Sequence, residues 1–116
     1  MPLDITPAQV AAVYDCLREF PPFSKWRLPP SDEIEMHIGV QQDAYAHYHR
    51  QGSQHGIEVS MLLVTDWDTL VETVAHEMVH LHQARAGTET RAEHNREWHR
   101  LAAIVCRRFG WAKDQF

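Results

Sequence analysis

A chain of 116 residues with 44% hydrophobic and 23% charged residues is long enough for one core and too apolar for wholesale disorder. Its formal charge of −5 gives no general attraction to nucleic acid, and Cys16 and Cys106, in no metal-binding spacing, read as buried thiols. "MPLDITPAQV" has no basic stretch leading into an apolar run, and no segment approaches the roughly 18 apolar residues of a membrane span, so a cytoplasmic location is expected.

In "ITPAQVAAVYDCLREF", Thr6 reads as an N-cap and Pro7 as the first helical residue. Val10, Val13, Tyr14 and Leu17 continue at helical spacing, predicting a helix to about Phe20. "PPFSKWRLPPSD" then breaks regular structure with four prolines. From Glu33 the period changes to two: Ile34, Met36, Ile38 and Val40 share one face, while Glu33, Glu35 and His37 share the other. "DAYAHYHR" and "HGIEVSMLLV" read as two further strands with a hairpin turn at Gly52–Ser53. Three consecutive strands with short connections favour an antiparallel meander.

Thr65, Asp66 and Asp68 can each cap the next helix, and Gly87 marks its end. A last helix covers "NREWHRLAAIVCRRFG", with Thr90 and Glu93 offering a capping box a few residues earlier. The arginines of this last third, Arg91, Arg96, Arg100, Arg107 and Arg108, with Lys113, alternate with acids and read as a solvated face. The order α-β-β-β-α-α is an α+β domain spanning residues 1–116, with a mostly antiparallel three-stranded sheet.

"VAHEMVHLHQ" carries the densest chemistry. His76 and His80, four residues apart, lie about 40° apart on a helix and can share one metal ion. Glu77 sits about 100° from His76, out of range as an equal ligand but able to reach a water on that metal as a general base. Val71, Val74, Met78 and Leu81 gather on the opposite side, while Thr69, Glu72, Thr73 and Gln83 share the histidine side and suit a cleft. His82 lies far round the helix from both and is expected to be partly buried or on the surface.

A catalytic zinc takes three protein ligands and keeps a fourth position for water. In the HExxHxxGxxH arrangement the remaining slots would fall on Gln83 and Ala86, and a glutamate about twenty residues downstream would fall near Arg100, with Glu97 off pattern. His94 and His99 remain. His94 falls along the apolar side of the last helix, with Trp98, Leu101, Ala102, Val105 and Phe109, so it is favoured over His99.

With those residues in place, "HEMVHLHQ" followed by "EHNREWHRLAAIVCRRFGW" resembles the SprT-like (Spartan-like) zinc metallopeptidase domain. The resemblance covers most of the chain; its more specific part is His94, Asn95 and Trp98. Asn95 stands where the family usually has glycine and suits a capping or left-handed backbone. The resemblance implies a zincin-like minimal domain with Zn2+ held by His76, His80 and His94, and Glu77 as catalytic base. It also implies a protein or peptide substrate, with Ile57–Val64 as the candidate edge for pairing with it. Many relatives carry a cysteine-rich zinc ribbon or DNA-binding appendages after this domain, and this sequence stops at Phe116 with neither. A nucleic-acid association follows from the resemblance but has no support in the net charge, and no membrane partner is expected.

The reaction expected is peptide hydrolysis; a non-catalytic zinc module and a metal-dependent hydrolase of a non-protein substrate are the alternatives. Glu77 argues against the first, since a purely structural site has no use for it. His99, Tyr45, Tyr48 and Arg100 are candidates to stabilise an oxyanion, and Glu72 to orient a ligand histidine. His47 and His49 share a strand face near His37 and His55 and are expected to be ordinary surface residues rather than a second metal site. Trp26, Trp67 and Trp111 are expected to be packing anchors.

Overall fold

The computed structural model describes residues 3–116. Helix α1 (Pro7–Leu17) starts at Thr6, whose hydroxyl accepts from the Gln9 N–H while the Gln9 side chain accepts from the Thr6 N–H. It stops short of Phe20. Its last amides turn back three residues, Glu19 to Cys16 and Phe20 to Leu17, and Pro21 and Pro22 supply no further donor. Cys16, expected inside, is exposed, because Val10, Tyr14 and Leu17 form the buried face.

The sheet is mixed, in the order β1 (Ile34–Gly39), β3 (Gln54–Ser60), β2 (Ala46–Gln51). β2 and β3 form the expected hairpin, with Gln51 opposite Gln54 and Gly52 at φ +63°. β1 does not pair with β2. It runs parallel to β3, with Ile34 opposite His55 and Gly39 opposite Ser60, so the antiparallel meander is overturned. The hydrophobic pattern supplies the reason: Ile57 and Val59 are fully buried, and the central slot covers the strand on both edges as well as one face. β3 also ends at Ser60, not Val64, because the Ser60 hydroxyl accepts the amides of Leu62 and Leu63 and turns the chain. Ile57–Val59 is therefore interior to the sheet and offers no edge. Val40, beyond the end of β1, is 66% exposed.

Helix α2 (Trp67–Ala86) starts at Asp66, whose carboxylate accepts the Thr69 amide and hydroxyl, and ends at Gly87 in the left-handed region. It is buried on more than one side: Val74, Met78 and Leu81 enter the main core with Ala75 and Val79. Contacts to α1, β2 and helix α3 (Arg96–Phe109) account for this. Trp26 and Trp111 pack against the core as expected, but Trp67, at the first turn of α2, is 52% exposed. Among the described residues no helix is long and apolar enough to cross a membrane. The face of α2 that carries His76 and His80 is roofed by α3, and that junction holds the site.

Candidate metal centre

α3 begins at Asn95, whose side-chain oxygen accepts the Trp98 amide at 2.9 Å; no capping box forms at Thr90 and Glu93, since the Thr90 hydroxyl accepts the Ala92 amide instead. Asn95 is extended, with φ −79°, so it fills the glycine place as a cap and not as a left-handed turn. It also ties the loop down. Its amide nitrogen donates to the Thr88 carbonyl at 2.9 Å, and its oxygen accepts from Gln83 Nε2 at 3.0 Å. Gln83, assigned by its helical angle to an open polar face, is instead buried at 2% exposure and acts as this tether.

His94 therefore precedes the helix and does not lie on its inward face. Its ring stacks on the Trp98 indole, with centroids 3.8 Å apart and planes 13° apart. That stacking aims it at α2: His94 Nε2 lies 3.3 Å from His80 Nε2. His76, His80 and His94 each offer a ring nitrogen within 4.8 Å of the other two, and this is the group positioned to bind a metal ion among the described residues. His99 is outside it, with Nδ1 2.9 Å from Lys113 Nζ.

Burial sets the protonation of the site. It pushes His76 and His80 down to about 4, helped by repulsion from the neighbouring rings, and lowers His94 in the same direction. The imidazoles are thus neutral at pH 7 and present lone pairs, as metal ligation requires. His76 Nδ1 lies 3.0 Å from the main-chain oxygen of Phe116, to which it can donate, leaving Nε2 for an ion. Glu72, the candidate for such an orienting role, lines the cleft, but it is Phe116 that bonds the ring. A main-chain acceptor has no signature in sequence.

Glu77 is 3% exposed, and its Oε2 has no hydrogen-bond partner in the structure. Burial, with Glu93 adding repulsion, raises its pKa to about 8. A buried carboxyl that shares its cleft with His76 and His94 and has no partner among the described residues is what a cationic guest with its water would satisfy. The donor set is imidazole with one carboxyl in the same cleft, which fits a divalent transition-metal ion of the zinc, copper, iron or nickel kind. His76, Glu77 and His94 line a cleft of about 560 Å³ together with Tyr45, Thr73 and Glu93. Of the four oxyanion candidates only Tyr45 lines it; Tyr48 bonds His55 and Arg100 grips Glu97 through two contacts of 2.7 Å. His82 stacks on Trp26, half-buried and away from the group.

The model of the SprT-like family matches residues 22–113. No curated protein matches the chain.

Proposed function

This chain belongs to the SprT-like family, and we propose from that membership and the geometry of the cleft that it is a zinc-dependent endopeptidase with a minimal zincin architecture. The observation that carries the reading is the unpartnered Oε2 of buried Glu77 in the same cleft as the histidine group. His76, His80 and His94 would hold the ion through their free ring nitrogens. A bound zinc supplies positive charge and Lewis acidity, which acidify a water, polarise a carbonyl and lower the pKa of a nearby carboxyl. Glu77 Oε2 accepts the proton of the attacking water and passes it to the departing amine nitrogen. Trp98 stacks on His94, which stays open to solvent, and Phe116 packs on the half-buried His76 ring. Tyr45, which lines the cleft, is our candidate to donate to an oxyanion.

The substrate backbone needs a strand edge, and β2 provides one. It pairs with β3 on one side only among the described residues, and Ala44–Ala46 at its start lines the cleft. An extended peptide laid along this edge would pass over His76 and Glu77.

Glu77→Gln tests the assignment. The variant should bind one zinc per chain like the parent yet lose at least about a thousandfold in peptide turnover, the range of a lost general base and more. Turnover retained at full zinc content would remove Glu77 from the chemistry; absence of zinc binding by the parent would remove the metal.

A further inference from the structure

One turn beyond His80, at the C-terminal end of α2, lies an open groove of about 640 Å³ whose charge is opposite to that of the metal cleft. Its lining includes Arg27, Arg50, Arg85, His55 and His82 and no carboxylate, whereas the metal cleft is lined by Glu72, Glu77 and Glu93 and no Lys or Arg. A concentration of cations in a chain of net charge −5 needs a reason.

Part of the reason is structural. Arg50 donates from Nε to the Gly52 carbonyl at 3.0 Å and from Nη1 to the Ala84 carbonyl at 3.2 Å, and Arg85 Nη1 donates to the Arg27 carbonyl at 2.7 Å. These bonds cap the end of α2 and fasten it to the β2–β3 turn and to the Trp26–Arg27 segment. They use three of the ten N–H donors that two guanidinium groups carry. The anchoring also fixes the forks in place, so little rotamer entropy is left to lose on binding. Two carboxylates stand nearby. Glu97 is held in both contacts by Arg100, while Glu89 lies 3.9 Å from Arg50 on the loop between α2 and α3, half exposed.

We propose that this groove, built on Arg50 and Arg85 with Arg27 at its rim, is an anion site for a phosphate-bearing ligand. Fork geometry matches phosphate oxygens, and the small residues of the floor, Gly52, Ser53, Ala84 and Ala86, leave room for a tetrahedral group. Glu89, outside the lining but 3.9 Å from Arg50, is the acidic neighbour against which an anion would compete for that guanidinium.

The test is a backbone-amide NMR titration of the zinc-loaded full chain with inorganic phosphate and, in parallel, with adenosine monophosphate, at low ionic strength and with sodium chloride as control. Saturable shifts at Gly52, Ser53, His55 and Arg85 are expected with phosphate and not with chloride. Equal affinity for the two ligands identifies free phosphate as sufficient, and tighter binding of the nucleotide identifies a phosphate ester as the occupant. Glu89→Gln, which removes charge without touching the anchoring bonds, should tighten binding about threefold or more, and Arg50→Gln with Arg85→Gln should weaken it about tenfold or more. Shifts confined to the metal cleft, at Thr73 and His94, would overturn the proposal. So would shifts that chloride reproduces, or affinity indifferent to Glu89→Gln.

Discussion

The molecule gathers histidines twice, with opposite outcomes. On α2 and the loop before α3, His76, His80 and His94 bring their rings to centroid distances of 5.0–5.2 Å. On the outer face of the sheet, His37 of β1 and His49 of β2 come nearly as close, at 5.8 Å, although β3 lies between their strands. They meet because Gly56 has no side chain: a Cβ there would collide with the His49 ring, which lies across it. Proximity is therefore common to both. The helix group is roofed by Trp98 and Phe116 and includes a buried carboxyl without a partner. The sheet pair is exposed on both members, with His37 3.8 Å from Glu35. Since His94 is itself exposed, what separates the helix group from the sheet pair is the burial of Glu77 and His80, which makes an unmet polar group costly.

The largest test of that difference removes a ligand. His94→Ala should lower zinc affinity by more than about 100-fold, beyond the 10–100-fold typical of an outer-shell partner, while His99→Ala should stay below about tenfold. Zinc titration against a chelator measures both. The reverse order would move the third ligand to His99.

A second test uses protons in place of metal. In the metal-free protein His76 and His80 have pKa values near 4, below the usual 6.5, so between those values the unfolded chain binds about two more protons. Glu77, raised from 4.5 to about 8, makes the folded chain bind one more across its own window. From pH 4.5 to 6.5 the balance favours the unfolded chain, the lowered His94, His55 and His82 adding to His76 and His80, so stability rises with pH. From 6.5 to 8 Glu77 dominates, and stability falls as pH rises. Urea unfolding of the metal-free chain should therefore peak near pH 6.5, and Glu77→Gln should flatten the alkaline limb. An unchanged alkaline limb in that variant would mean that Glu77 is not held neutral.

How much of this was readable in advance follows the range of each cause. Caps are local, so Thr6 and Gly87 stand where the sequence puts them; Asp66 is one of three candidates it offers, and Asn95 caps in place of the Thr90–Glu93 box. The two-residue turn at Gly52 is equally local. Strand order is not: β1 joins β3 because of what is buried on both sides of Ile57 and Val59, and spacing alone favours the nearer neighbour. The spacing of His76 and His80 places their side chains together, and His94 comes within reach of them by a route other than helical angle. Helical angle puts His94 on the face of α3, whereas the structure puts it before the cap, held by Trp98 and by the Gln83–Asn95 tether. Gln83 belongs to a long-range bond, and nothing in its neighbours marks it.

The smallest expected effect belongs to the sheet histidines, and it is the one that defines the comparison. If burial and not proximity makes a site, replacing His37 and His49 together by alanine removes two exposed rings and no buried partner. Neither residue lines the metal cleft. Stability should then change by no more than about 0.5 kcal/mol, as for ordinary surface positions. Zinc stoichiometry should stay at one per chain, and turnover should match the parent. Gly56 would lose the ring that covers it, at little cost, because the ring is already open to water. A fall in stoichiometry from two zinc ions to one would refute this, since it would make the sheet face a second site assembled by approach alone.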